Sequence, residues 1–379
     1  KPIVIVGIAG IMGVTAPMTS PASSPEFSRS SQEWERLRDD VLEYEEIADL
    51  IYEYNVTVQN NQYAYNAFIK DYGRTKEDVS DAYRTMADEL ESSMSGEDGM
   101  GMVSDFQLEL QAKQLREQAE DNLEDSRIYY LNYSQAEAGL VLSAQSKFLS
   151  YYKNQLELAS ARQQKKVLEN SCALAQTQLL AGTATQTEML NTQEAVLEQE
   201  KSIAELEQQM ESTRQSLIVM CGWKGSDHPQ IGDIPEMDLS AIEAVDLEGD
   251  KQLALENNYT LQVNKRKLEN AKDGDNQEKL KKTIASNERQ IQLSVNNAWQ
   301  SLQTAKRSYE QAVSQKALEE QNLNLSAQKW NAGMITQYEY ESAQIVAETK
   351  AIAVRTALLE LVEALETYRW NVNGLASAE

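Results

Sequence analysis

Shifting the sequence by 151 residues lays one stretch over another without a gap, and this internal repeat limits the fold more than any other feature. Ala181-Gly182-Thr183-Ala184-Thr185-Gln186-Thr187-Glu188 falls on Ala332-Gly333-Met334-Ile335-Thr336-Gln337-Tyr338-Glu339. Gln193 falls on Gln344, Phe148 on Trp299 and Leu142 on Leu293. The shared motif has a readable local chemistry. A long helical run reaches Ala-Gly, and Gly182 and Gly333 suit the left-handed residue that ends a helix. Thr follows three residues later and Glu three after that. Thr185 with Glu188, and Thr336 with Glu339, therefore read as capping boxes that start a new helix. Helix, glycine stop, two linking residues and capped helix make a tight αα-hairpin, and the chain makes it twice.

The arms of both hairpins carry a coiled-coil pattern. In the second copy Ile291, Val295, Ala298, Leu302, Ala305, Tyr309 and Ala312 alternate in steps of four and three. After the turn Ala347, Ala351, Val354, Leu358, Leu361, Leu365 and Tyr368 do the same, and in the first copy Met189, Val196, Ile203, Met210 and Leu217 recur every seven residues. The arm over residues 134–180 would be about 70 Å long at 1.5 Å per residue, a length suited to a spacer or a tube wall. A weaker repeat precedes each hairpin: residues 254–261 compare with 51–58 at an offset of 203, so the first copy holds about 52 extra residues. The expected division is a signal- or anchor-like segment with a Pro/Ser-rich linker over 1–33, a first hairpin repeat over 34–221 and a second over 250–374. The first repeat carries an extra helical insertion at about 71–125, including a turn at 95–101, and 222–249 is an irregular linker rich in Gly and Pro.

Composition narrows the function. At 41% hydrophobic and 25% charged the 379 residues are too structured for disorder, and four of the six prolines fall in the first 25 residues, leaving the rest nearly free of helix breakers. A net charge of −25 repels nucleic acid and anionic lipid headgroups. It suits a passage that tolerates cations, or simply keeps long exposed helices soluble. Cys172 and Cys221 sit in apolar helical patterns at different distances from the turn, and read as buried free thiols. With His228 as the single histidine, and no phosphate loop, nucleophile set or metal-ligand spacing, the chain reads as a non-enzyme without cofactor or metal. Lys1, an apolar run over 3–14 and a Pro/Ser-rich exit with Ser20-Pro21-Ala22 read as a secretory signal, or as an uncleaved anchor, which places the protein in the cell envelope outside the cytoplasm.

The pattern Ala-Gly-x-x-Thr-Gln-x-Glu-x-x-x-x-Gln, at a hairpin turn and repeated once, resembles the TolC-like outer-membrane efflux protein family; Ala343 matches a late alanine of that family's motif. The resemblance runs from about Trp34 to Gly374 and includes the helix opening each half. It implies an all-α fold of two tandem long antiparallel coiled-coil hairpins, as an elongated bundle or part of a trimeric α-barrel. It also implies a homotrimer whose hairpin tips, at Gly182, Thr185, Glu188, Gly333, Thr336 and Glu339, dock an adaptor protein (a membrane-fusion protein) working with a membrane transporter. The bore would be a passive conduit for export. The alternative is a non-conducting coiled-coil spacer at the cell surface. Family members that pierce an outer membrane insert a strand pair in each half, each strand about ten residues long. Here residues 265–282 form a charge run around Asp273-Gly274-Asp275-Asn276, expected to be a turn between solvated helices, and 56–69 alternates only weakly. The β-barrel is therefore expected to be absent.

Glu188 and Glu339 read either as caps or as a ring of carboxylates at an entrance. The family's second acidic position is Asn191 and Ser342 here, with Glu341 on a different face. Trp299, Trp330, Tyr338, Tyr340, Trp370 and the Tyr129-Tyr130 and Tyr151-Tyr152 pairs are expected to fill helix seams. Asn55-Val56-Thr57 and Asn258-Tyr259-Thr260 match the glycosylation sequon.

Overall fold

The computed structural model describes residues 30–37, 39–94, 100–235, 237, 239–272 and 274–378. The expected signal over 3–28, residues 95–99 of the expected insertion turn, and Asp273 lie outside the described residues. The chain divides into two compact units, Lys1–Asp40 and Val41–Glu379. In the first, α1 (Ser31–Leu37) starts on a reciprocal cap, the Ser30 N–H donating to Glu33 Oε2 at 2.6 Å and the Glu33 N–H to Ser30 Oγ at 3.3 Å.

The second unit begins with β1 (Val41–Leu42), a 3₁₀ turn (Tyr44–Glu46), α2 (Ile47–Tyr54), α3 (Val56–Tyr72), α4 (Lys76–Ser92) and α5 (Met100–Asp121). The first hairpin is α6 (Ser126–Leu180) and α7 (Gln186–Met220). After β2 (Gln230–Ile231) come α8 (Leu239–Glu243), α9 (Leu247–Asn257) and α10 (Tyr259–Asn270). The second hairpin is α11 (Gly274–Asn331) and α12 (Gln337–Trp370), closed by a wide turn at Asn371–Leu375. The 55 residues of α6 and 58 of α11 contain no proline, so nothing interrupts their hydrogen-bond ladders.

In space the long helices follow the series α7–α6–α12–α11. Because α6 and α11 are far longer than the 35 residues of α7 and 34 of α12, their first turns outrun their partners. Short helices take the vacated place: α2, α3 and α10 pack on α6, and α9 and α10 on α11. The apolar core gathers at this base, where Leu261, Ile291, Val295, Leu302, Leu361 and Tyr368 share one cluster. Toward the tips the heptad seam continues but thins; α11 has no buried residue beyond Leu302, and Met189, Val196, Ile203 and Met210 of α7 are half-buried. Ion pairs cross it instead, Arg162–Glu207 at 2.8 Å and Lys165–Glu200 at 2.9 Å, each of small stabilising value at this exposure. Cys172 lies in this thinner stretch and is half-buried rather than buried, whereas burial pushes the Cys221 thiol up to about 12.

Among the described residues the only strands are β1 and β2, paired in parallel as Val41 with Gln230 and Leu42 with Ile231. They tie the segment before α2 to the linker between the hairpins, and no barrel strand is present among the described residues. The expected turn at 273–276 is corrected: the break falls at Ala271–Lys272, and Gly274 already opens α11. Asp275 sits in the first turn of α11, where a carboxylate suits the helix N-terminus. A Gly-Asp-Asn sequence that looks like part of a turn is thus used as a helix start. No helix among the described residues is long and apolar enough to cross a membrane.

Candidate functional site

Both hairpin turns are built the same way. Gly182 (φ 73°) and Gly333 (φ 71°) adopt the left-handed conformation and finish Schellman caps. The Gly182 N–H donates to Leu179 O and the Thr183 N–H to Gln178 O, at 3.0 and 2.9 Å; the Gly333 N–H donates to Trp330 O and the Met334 N–H to Lys329 O, at 2.9 and 2.8 Å. Thr185 and Thr336 then start α7 and α12 with complete capping boxes. In each, the Thr N–H donates to Glu Oε2 at 2.7 Å and the Glu N–H to Thr Oγ1 at 3.2 Å. These bonds hold the carboxyls of Glu188 and Glu339 below the usual range, the Thr backbone N–H acting most. The tips are exposed: Leu180 is 86% and Met334 76% accessible. Trp330 and Tyr338 are exposed here too, against the expectation that they fill a seam. Trp330 instead stacks on Tyr340 at 4.9 Å. Trp299 and Trp370 do pack inward, the first against Tyr368 and the second with its Nε1–H donated to Gln145 at 2.7 Å.

The two ends of the four-helix series, α7 and α11, carry exposed leucines that seam-reading passes over. Leu190 and Leu197 follow Gly182 by 8 and 15 residues; Leu325 and Leu318 precede Gly333 by 8 and 15. Each pair is heptad-spaced on one helix face, at about 12 and 22 Å from its turn. Their exposures, 51 and 65% on α7 and 51 and 60% on α11, leave both faces open at matching distances along the helix from their own turns.

At the base the two sequon asparagines are latches. Asn55 caps α3 through the Thr57 N–H, and its Nδ2 donates to Met220 O at the end of α7, at 2.8 Å. Asn258 caps α10 through the Leu261 N–H, and its Nδ2 donates to Gly374 O and Ala376 O just past α12. Being 9% and 1% exposed, with both side-chain ends engaged, neither is an acceptor for a glycan. Gly222 (φ 99°) and Gly374 (φ 115°) let the chain leave α7 and α12 beside these latches. Sequence reading aligned Asn55 with Asn258 but had no signal for their distant partners.

The insertion is held by a second polar knot. Asp125, fully buried, caps α6 through the Ile128 N–H and accepts from Arg266 Nε at 2.6 Å and Asn270 Nδ2 at 3.1 Å. Buried Lys76 donates to Asn270 O at 2.7 Å, and Lys267 pairs with Glu124 at 2.7 Å. The charge run is therefore not simply a solvated helix pair: Arg266 and Lys267 clamp the foot of the α4–α5 hairpin. His228 belongs to a structural network, its Nδ1 3.0 Å from Arg214 Nη2, while Arg214 holds Glu211 down at about 2. Among the described residues no group of three or more His, Cys, Asp or Glu side chains could hold a metal ion.

This architecture is similar to that of the outer-membrane channel OprN, with a TM-score of 0.53 and 13% identity over 94% of this chain and 97% of that one. It is equally similar to the Campylobacter jejuni CmeC outer membrane channel, with a TM-score of 0.53 and 8% identity over 96% and 95%. A membrane protein from Pseudomonas aeruginosa gives 0.52 and 14% over 85% and 90%. No protein-family model and no curated protein matches the sequence. The class is thus defined by fold. The chain shares the fold of these proteins, as the resemblance of its repeated motif implied, and no barrel strand is present among its described residues.

Proposed function

We propose that the protein is the conduit component of an export system in the cell envelope, a homotrimer that performs no catalysis. The observation that carries this reading is the pair of matched edges. Leu190 and Leu197 at one end of the helix series, and Leu318 and Leu325 at the other, sit at equal distances from their turns. When α7 of one copy meets α11 of the next, the leucines come into register, and a head-to-tail contact of this kind closes into a ring. The fold shared with two proteins described as outer-membrane channels supports a lumen inside that ring.

In this reading the six turns of a trimer form one end of the tube. Gly182, Thr185, Glu188, Gly333, Thr336 and Glu339 fix its shape, and this end docks an adaptor protein that works with a membrane transporter. Glu188 and Glu339 are caps first, yet each keeps its charge in water, so the trimer presents six carboxylates at the entrance.

Light scattering on the purified chain, followed by particle imaging, tests the proposal. Three copies around a hollow centre are expected. Leu197→Asp together with Leu318→Asp should leave helix content unchanged and give monomers. A wild-type monomer, or a solid bundle, would favour the cell-surface spacer instead.

A further inference from the structure

The α4–α5 hairpin has its foot fixed at the base by the Asp125–Arg266 knot. Along its length α5 packs on α4, and among the described residues of this unit no other helix runs beside it. Between the two helices the fully covered apolar side chains are Val79, Ala87, Ala112 and Ala119, all short, so the seam buries little apolar area. The inward stripe of α5 is Leu108, Ala112, Leu115 and Ala119, in steps of four, three and four. A second stripe with the same spacing runs down the outer face: Phe106, Leu110, Lys113, Glu117 and Glu120. Every member is exposed, Phe106 at 66% and Leu110 at 49%. It is about 21 Å long at 1.5 Å per residue. A stripe of this spacing is what one helix presents to another, and here α5 presents it to solvent.

The stripe has two chemistries, apolar toward the α4–α5 turn and acidic toward the foot. Residues 76–121 hold 13 acidic and 4 basic side chains, and the basic ones are already engaged. Arg84 pairs with Asp81, Arg116 with Asp88 and Glu91, and Lys113 with Glu117, while buried Lys76 donates to Asn270 O. Glu120, with Glu109 and Asp121 flanking the stripe, has no counterion among the described residues. The charges also limit what can cover the face. In either direction a second α5 would bring Glu117 and Glu120 against carboxylates or against Phe106 and Leu110, and an anionic lipid surface would be repelled.

We propose that the outer face of α5 docks an amphipathic helix of another protein, apolar against Phe106 and Leu110 and basic against Glu117 and Glu120, so that a third helix completes the bundle that α4 and α5 begin. The hairpin is rooted at the base, away from both tips and from the leucine edges, so this surface is separate from the conduit reading.

A fluorescein-labelled peptide of about 18 residues tests the face by its anisotropy on titration with the full-length chain. The peptide carries leucine in one half of a heptad stripe and lysine in the other, with alanine and glutamine elsewhere, and is made in both orders. One order should bind, one peptide per chain, at least tenfold more tightly than a scrambled peptide of the same composition. Phe106→Ser with Leu110→Ser, and Glu117→Lys with Glu120→Lys, should each weaken binding at least tenfold. Glu248→Lys with Glu256→Lys on α9 makes the same change of net charge and should leave it unchanged. Circular dichroism confirms that each variant keeps its helix content. Equal binding of the scrambled peptide, equal affinity in the serine variant or equal loss in the α9 variant would overturn the proposal. So would a smaller assembly of the serine variant in light scattering, which gives the face to a second copy. So would sedimentation of the wild type, and not of the serine variant, with phosphatidylcholine vesicles, which gives it to a lipid surface. The titration reads each chain whatever its assembly state, so its failure leaves the conduit reading standing.

Discussion

The tips and the base of the hairpins solve one problem, reversing or ending a long helix, with opposite resources. At the tips everything is local. Glycine, threonine and glutamate within seven residues satisfy the orphan groups at both helix ends, and a Cβ added at Gly182 or Gly333 would meet nothing within 4 Å. At the base everything is distant. Asn55 reaches Met220, Asn258 reaches Gly374 and Ala376, and a Cβ at Gly374 would lie 2.7 Å from Asn257 O. A tip can therefore open without disturbing the fold, whereas a failed latch exposes the apolar core. The difference would suit the proposed docking through the tips, with the base holding shape.

The largest effect should come from the base. Asp125→Ala removes a buried carboxylate that caps α6 and pairs with Arg266, and should cost roughly 3 kcal/mol in a denaturant melt followed by circular dichroism. Asp125→Asn keeps the cap acceptor and should recover part of that loss. Next comes a matched pair of glycines. Gly374→Ala forces both a left-handed alanine and a clash with Asn257 O, and should cost roughly 2–3 kcal/mol globally. Gly333→Ala meets the same backbone penalty in open space, about 1 kcal/mol, and its effect should appear as faster amide exchange around residues 329–340 rather than as a lower melting point. Equal global losses at the two positions would erase the contrast between tip and base.

What was legible in the sequence follows the same line. The hairpins were readable because each is encoded within a short motif, and the motif occurs twice. The latches were not, because the partners of Asn55 and Asn258 lie 165 and 116–118 residues away, and an asparagine followed two residues later by threonine looks like a sequon. Arg266 lay in what read as a solvated charge run, although Asp125 waits for it 141 residues earlier. The helical start at Gly274 was hidden by turn-forming residues that serve equally well in a first helical turn. The edge leucines went unweighed because a heptad reading follows the inward face and discards the outward one. Only the position of α7 and α11 at the ends of the helix series gives those side chains meaning.

The smallest expected effect separates the two regions by the sign of their response to acid. Glu188 and Glu339 at the tips have carboxyls held low by their caps, so the caps act fully above the usual glutamate value, about 4.3, and are lost as pH falls through the lower folded values. Glu366 at the hairpin junction is pushed the other way, by burial first and by Glu45 to a lesser degree, with Arg369 opposing. Its charged form strains the junction at neutral pH, and the strain is relieved as pH falls toward that same value. Acidification should therefore tighten the junction first and fray the tips afterwards. Two tryptophans report on these places separately. Trp330 stacks on Tyr340 at the second tip, and Trp370 donates to Gln145 four residues beyond Glu366. In variants retaining one tryptophan each, the Trp370 emission should shift on descent from neutrality and the Trp330 emission only below about 4.3. Glu366→Gln should remove the first transition and leave the second. A single transition shared by both reporters would mean that tip and junction titrate as one unit, and that the tips are not the independent ends their local chemistry makes them.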